Sequence, residues 1–292
     1  MNMWLVGAGY WGSRLVQDLE LLGVTPRVID IKNGQSIDDI DTLDPVMLAT
    51  PLWEHYSQVC ELLNRGHDVY VEKPMAENSD QIHAIRNCVG PDQLLMVGHL
   101  FVHHPQMDEI KSLIAADEIG QLQHISSRRL NWGIYQTKTD PLLSLAVHDI
   151  SIVLEFIDQS AQVARTDSWH YSNNSNPDRV WFSGQAGTVA FDVDVSWYWP
   201  VRTRQTVFIG TQGQIVWDQD ANTVTVYKNT VQNSRAVADS APRVIEYSYA
   251  LTPLQVELRH WLDCLRTRQQ PCTGINDAEA VANIVDQIKS LL

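Results

Sequence analysis

The sequence predicts two kinds of fold in succession: an α/β part with a doubly wound parallel sheet, then an α+β part with a large, mostly antiparallel open sheet. Two observations carry this. Between Met3 and about Gly98, short apolar runs alternate with helix-length segments, the rhythm of parallel strands and crossover helices. From about Gln121 that rhythm gives way to stretches of period two. There Val189, Phe191, Val193, Val195, Trp197 and Trp199 alternate with Asp192, Asp194, Ser196 and Tyr198. A length of 292 residues suits about two domains. The expected division is 1–119 and 120–292, placed where the rhythm changes.

The first strand, Met3–Val6, stops at Gly7, and Tyr10–Leu22 reads as a helix closed by Gly23. Further strands are expected at Arg27–Ile31, Val46–Ala49, Asp68–Val71 and Leu94–Val97, with helices at Glu54–Asn64 and Ser79–Val89. In the second part, Asp140 as N-cap and Pro141 at the first helical position start a helix running to Ile157. Strands at Val207–Ile209, Ile215–Trp217 and Val224–Tyr227 precede two terminal helices, Pro253–Thr267 and Ala278–Leu291.

Composition narrows the class. With 44% hydrophobic and 19% charged residues, the chain reads as a soluble globular protein. Its net charge of −14 argues against nucleic acid or an anionic membrane as partner. The N-terminus lacks a basic, then apolar, leader pattern, and no run approaches ~18 apolar residues, so neither signal peptide nor membrane span is expected. Cys60, Cys88, Cys264 and Cys272 form no Cys-x-x-Cys pair and read as free thiols of a reducing, cytoplasmic compartment.

The strongest motif is Gly7-Ala8-Gly9-Tyr10-Trp11-Gly12, a G-x-G-x-x-G between a strand and a helix. Gly7 permits the tight turn, Gly9 lets the backbone approach a pyrophosphate, and Gly12 lets helix and strand pack closely. The helix N-terminus offers unpaired N–H groups to phosphates. Asp30 ends the second strand close to the ~20-residue spacing expected of a ribose-binding acid. Its carboxylate accepts from ribose hydroxyls and repels a 2′-phosphate, so NAD is favoured over NADP, with Lys32 weakening that preference. The first part is therefore expected to be an NAD-binding Rossmann domain.

Three further segments stand out: Ala49-Thr50-Pro51 with His55; Val71-Glu72-Lys73-Pro74; and Leu145-Ala146-Val147-His148-Asp149-Ile150. Together they resemble the glucose–fructose oxidoreductase/inositol dehydrogenase/MocA (Gfo/Idh/MocA) family. The stretch from Val97-Gly98-His99 through Pro105 to Ile119-Gly120, then Ser127-Arg128-Arg129-Leu130-Asn131-Trp132-Gly133, is similar to the branch acting on nucleotide-linked amino sugars. The resemblance is good over residues 1–160 and loose beyond. It implies that Thr50, Pro51, His55, Glu72, Lys73 and Pro74 line the cofactor, that the Lys73–Pro74 bond is often cis, that Asn131 touches substrate, and that an alcohol is oxidised or a ketone reduced at nicotinamide.

The residues themselves suggest the proton chemistry. Hydride leaves a carbinol carbon only as the hydroxyl proton is removed. His148, with an ordinary pKa of ~6.5, suits that base. Lys73, at the carboxyl end of a strand, suits a hydroxyl-positioning donor or relay. Ser144, His148, Ser151 and Glu155 form one polar stripe on an apolar helix, which faces either solvent or substrate. Where the family usually carries aspartate four residues before the histidine, this chain has Ser144, and the glycines often seen in Thr137–Leu143 are missing. Arg128, Arg129, Arg202 and Arg204 are either substrate-anion contacts or solvated charges, and Arg129 is placed with Asn131, Ser144 and His148 in the expected substrate set. His99, His103 and His104 lie close in sequence, but no H-E-x-x-H or thiolate set accompanies them, so no metal is expected.

These readings lead to an NAD-dependent oxidoreductase of a sugar or nucleotide sugar. A redox-assisted glycosidase and a nucleotide-binding sensor or partner subunit, the latter kept open by Ser144, are the alternatives. Trp197 and Trp199 suggest an aromatic sheet face and a homodimer or homotetramer.

Overall fold

Alternating apolar side chains build the first sheet. Parallel strands β1 (Trp4–Val6), β2 (Arg27–Ile29), β3 (Val46–Leu48), β4 (Val69–Glu72) and β5 (Leu95–Gly98) lie in the order β2-β1-β3-β4-β5. Helices α1 (Tyr10–Leu21), α2 (Leu52–Asn64) and α3 (Ser79–Cys88) connect them. Val6, Val46, Leu48, Val69, Val71 and Val97 point to one face, where α2 and α3 cover them. Leu5, Met47, Tyr70 and Met96, one residue out of phase, point to the other, against α1 and α6 (Pro253–Thr267). Strands buried on both faces explain the near-continuous apolar runs in the sequence. The computed structural model describes residues 1–133, 138–157, 161–173, 175–232, 235–238 and 241–292.

The strand order reverses at β1, between β2 and β3. Open α/β sheets hold ligands at such a switch point, outside the carboxyl ends of the strands. The glycine loop leaves β1 there.

The second sheet has eight strands: β6 (Leu122–Trp132), β7 (Gln162–Trp169), β8 (Arg179–Ala186), β9 (Val189–Ser196), β10 (Tyr198–Gly210), β11 (Gln214–Asp218), β12 (Thr223–Tyr227) and β15 (Arg243–Glu246). Its order is β15-β12-β11-β10-β6-β9-β8-β7, with β6 and β9 parallel and the other pairs antiparallel. Strands β13 (Asn229–Gln232) and β14 (Arg235–Ala238) pair separately. Ile125, Phe182, Phe191, Val193, Phe208 and Trp217 are buried on this sheet. Against it lies α5 (Val147–Leu154), whose Ile150 and Val153 line a small apolar cavity with Phe182, Phe191 and Val193.

Several boundaries differ from the sequence reading. The chain divides into one unit of Met1–His104 with Leu251–Asn283, and another of Pro105–Ala250 with Ile284–Leu292. The first break is at His104 rather than at residue 119, because α4 (Pro105–Ala115) buries Met107 and Ile110 and its Gln106 Oε1 accepts from Trp217 Nε1 of the second sheet at 2.6 Å. Sequence reading had no helix there. It also assigned both terminal helices to the second domain, whereas α6 packs on the first sheet and α7 (Ile275–Leu291) contributes Ala278 and Ala282 to that unit's core. The helix expected over Pro141–Ile157 begins with a π-helical turn, Leu142–Ala146, and continues as α5 only to Leu154. Trp197 is 3% exposed, so it serves its own unit's core rather than an open aromatic face. No helix is long and apolar enough to cross a membrane among the described residues.

Candidate active site

Each unit carries part of the expected site. In the first, Gly7 has φ +99°, a conformation that disfavours side chains, and a Cβ there would stand 2.7 Å from the Ala49 carbonyl oxygen. A Cβ on Gly12 would stand 1.8 Å from the Gly7 carbonyl oxygen, so helix and turn touch through bare backbone. Gly9 differs: nothing lies within 4 Å of its missing Cβ. It caps α1 with extended backbone and no side-chain hydrogen bond, leaving the first-turn amides to an outside acceptor. Two glycines are thus required by packing, and the third faces open space. That is the arrangement a diphosphate needs. Tyr10 and Trp11 start the helix, with Tyr10 exposed and Trp11 half-buried.

Asp30 follows the last residue of β2. Its Oδ1 accepts from the Lys32 amide at 3.0 Å, and its own amide donates to Gln35 Oε1 at 3.2 Å. The Gly7 amide donates to the Ile29 carbonyl at 2.8 Å, tying the glycine turn to the residue before Asp30.

Thr50, Pro51 and His55 form the next loop. His55 is 2% exposed, with Nε2 2.9 Å from the Thr50 carbonyl oxygen and Nδ1 2.8 Å from that of Pro74. Burial pulls its pKa down, while the two carbonyls favour a proton on both nitrogens. The ring therefore cross-links the loop after β3 to the loop after β4 rather than pointing outward. Thr50 Oγ1 donates to Gln58 Oε1 at 2.7 Å, and Pro51 is exposed.

The β4 end holds Glu72, half-buried Lys73 and a cis peptide bond to Pro74, the isomer implied by the resemblance. Tyr70 donates to Glu72 Oε1 at 3.1 Å. Burial pushes the Glu72 pKa up, against the Trp11 indole, the Lys73 charge and the Tyr70 hydroxyl. Glu257 of α6 shares this pocket at 1% exposure, and burial, reinforced by the Glu72 charge, raises its pKa well above the ordinary range. Sequence reading missed Glu257, whose only signal is a charge on the apolar stripe of α6. It also set aside His99, which follows β5. That imidazole is 1% exposed, neither nitrogen has a hydrogen-bond partner among the described residues, and burial together with the Lys73 charge lowers its pKa to about 3. A neutral, buried imidazole with idle nitrogens beside Lys73 is a polar group that a ligand would satisfy.

In the second unit, Asp140 Oδ1 accepts from the Leu143 amide at 2.8 Å, the capping role expected of it. The π-helical turn carries Ser144, and α5 carries His148; both are half-buried, and the His148 carbonyl accepts from Ser151 Oγ at 2.7 Å. Single π turns inside helices recur at functional sites. Thr137, named in the glycine-poor loop, lies outside the described residues.

Arg129 departs from the substrate-contact role expected of it. It is 2% exposed, not open to substrate, and its Nε and Nη2 grip Asp149 Oδ2 and Oδ1 at 2.7 and 3.2 Å. Ser127 Oγ also donates to Asp149 Oδ1 at 2.7 Å. This buried knot fixes α5, and with it His148, on β6. Asp149 was a missed positioning residue; its sequence signal is an acid directly after the histidine. Asn131 sits half-buried near the end of β6. Arg128 is exposed and Arg202 pairs with Asp220 at 2.9 Å, both solvated charges. Arg204 pairs across the ladder with Arg129. Burial, then the Arg129 and Arg202 charges, lowers its pKa to about 10, and its Nε has no partner among the described residues. Of the four arginines it is the one placed to welcome an anion.

No known family model matches the chain. A 2,7-anhydro-N-acetylneuraminate hydratase of Mediterraneibacter gnavus is 29% identical over 147 residues, which are 44% of this chain and 39% of that protein. A protein of the same name from Escherichia coli is 25% identical over 150 residues, 45% of this chain and 40% of the relative. The chain thus spans about two fifths of the length of the curated relatives it matches. Among solved structures, a levoglucosan dehydrogenase in complex with NADH and levoglucosan superposes with a TM-score of 0.83 at 15% identity, covering 100% of this chain and 96% of the other. A UDP-N-acetylglucosamine 3-dehydrogenase from Acidithiobacillus ferrooxidans gives 0.81 at 14% identity, covering 100% and 97%. These likenesses establish the fold.

Proposed function

We propose that this chain, which has the fold of the Gfo/Idh/MocA-type dehydrogenases, binds NAD(H) and transfers a hydride between it and a secondary alcohol or ketone of a sugar or nucleotide sugar. The observation that carries the reading is the glycine loop, with Gly7 and Gly12 held by packing and Gly9 open. The α1 amides take the diphosphate and Asp30 takes the ribose hydroxyls. Bound NAD supplies the hydride acceptor. Lys73 donates a hydrogen bond to the reacting hydroxyl, and His148 takes its proton, or returns it in reduction. Arg204 meets an anionic group where the substrate has one. Neighbours of the same fold described with NADH and sugars support the cofactor and substrate class.

A second reading is favoured by the anhydro-sugar hydratase among the relatives: the same hydride transfer runs forward and back, so that a glycosidic bond is cleaved or formed with no net redox change. One experiment tests both. The purified protein is titrated with NAD and NADH, co-purifying ligands are identified by mass spectrometry, and sugar turnover is followed with NADH absorbance. Net NADH formation supports the dehydrogenase, and sugar conversion at constant NAD supports the redox-neutral reading. Absence of affinity for either nucleotide overturns both.

A further inference from the structure

His103, His260 and Cys272, which sequence spacing did not connect, come together in the first unit. His103 follows β5, His260 lies on α6, and Cys272 lies in the loop before α7. One donor atom from each lies within 4.8 Å of the others, and the imidazole centroids are 5.0 Å apart.

The hydrogen bonds set the tautomers. Thr273 Oγ1 donates to the Val97 carbonyl at 2.9 Å, so towards His103 Nε2, 3.2 Å away, it can only accept. His103 therefore carries a proton on Nε2, which leaves Nδ1 as its ligating atom; Cys272 Sγ lies 3.9 Å from Nδ1 and 4.0 Å from Nε2, so the sulfur faces the ring between its two nitrogens. His260 Nε2 accepts from the Cys272 amide at 3.1 Å, so its proton is on Nδ1. The His260 Nε2 lone pair is thus held by the Cys272 amide, with Cys264 Sγ 3.5 Å from the same nitrogen, and an ion would replace that hydrogen bond. The loop is anchored as well: Val97 donates its amide to the Thr273 carbonyl at 2.9 Å, and Thr273 is fully buried. An imidazole oriented by a hydrogen bond at its other nitrogen, as His103 is by Thr273, is how metal-binding histidines are built.

We propose that His103, His260 and Cys272 form a binding site for one thiophilic divalent cation, Zn2+ being the expected occupant. Two imidazoles and a thiolate suit zinc or its neighbours and exclude hard cations such as magnesium. Zinc–sulfur and zinc–nitrogen bonds in a tetrahedron place the donors about 3.6 Å apart; the 3.9 Å between Cys272 Sγ and His103 Nδ1 is within a few tenths of an ångström of that. Cys272 is exposed, so the ion has a path in and a solvent-facing fourth position. Binding replaces the thiol proton, which passes to solvent. The ion would clip the loop after β5 to the loop before α7.

The test uses reduced, untagged full-length protein titrated with Co2+, followed by Zn2+ in competition. The expected result is one equivalent bound, with a thiolate-to-cobalt charge-transfer band that Zn2+ abolishes. Cys272→Ser should remove the band, and His260→Ala and His103→Ala should each weaken binding at least tenfold, while Cys264→Ser retains the band. Zn2+ should also raise the melting temperature of wild type but not of Cys272→Ser. No thiolate band, or a band that survives Cys272→Ser, overturns the proposal.

Discussion

Arg129 and Asp149 meet as a buried two-pronged ion pair, Nε to Oδ2 at 2.7 Å and Nη2 to Oδ1 at 3.2 Å, each side chain no more than 2% exposed. Breaking it from one side leaves a charge stranded away from water. Asp149→Asn is expected to destabilise the protein by about 3–5 kcal/mol in urea unfolding. The double substitution Arg129→Met with Asp149→Leu, which removes both charges, should recover most of that loss.

The glycine loop predicts opposite kinds of damage at neighbouring positions. Gly12→Ala drives a Cβ into the Gly7 carbonyl, so it should lower both melting temperature and NAD affinity. At Gly9 a Cβ meets nothing within 4 Å, so Gly9→Ala should lower the melting temperature far less than Gly12→Ala while weakening NAD in calorimetric titration.

Asp30→Ala removes charge-assisted hydrogen bonds to the ribose. At about 1.5–3 kcal/mol for such bonds, NAD affinity should fall roughly tenfold to a hundredfold, with a smaller change for NADP because the repulsion of its 2′-phosphate is also removed. Equal affinity of wild type and variant for NAD would place the ribose elsewhere.

Lys73→Ala and His148→Ala should each lower turnover by about a hundredfold or more while NAD still binds. Single-turnover kinetics alongside nucleotide titration separates the two effects. His148→Gln keeps a hydrogen-bonding group without the base and should not rescue the rate.

Stability should depend on Glu257. Its pKa is raised by burial, so above the ordinary carboxylate range the folded chain still holds a proton that the unfolded chain has lost. Unfolding then releases that proton, and stability falls as pH rises, by at most about 1.4 kcal/mol per pH unit. Glu257→Gln should flatten the slope and melt higher than wild type at neutral pH, with little difference in acid. Thermal unfolding from pH 5 to 8 checks this.

What the sequence revealed tracks how local each signal is. The glycine loop, Asp30 and the Glu72-Lys73-Pro74 strand end are spelled by adjacent residues, and both sheets announce themselves through alternation. Helix α4 carried a readable sign, Pro105 before Met107, Ile110 and Leu113, but its charged first turns hid the period. The Arg129–Asp149 knot joins a strand to a helix, and no spacing rule links them. The π-helical turn before α5 has no sequence signature, so the stripe through Ser144 and His148 could be drawn only on an ideal helix. Glu257 enters the Glu72 pocket from far along the chain, and Cys272 reaches His103 the same way.

The first sheet cannot finish its own interior early in synthesis. Leu254, Leu258 and Trp261, which close the layer over Leu5, Met47, Tyr70 and Met96, emerge from the ribosome only after the whole of 105–250. A nascent chain stalled before Leu251 would carry that apolar face naked. A gene fragment ending at residue 119 should accordingly yield a sticky, chaperone-bound polypeptide, whereas residues 1–104 fused through a short linker to 251–283 should supply the missing layer.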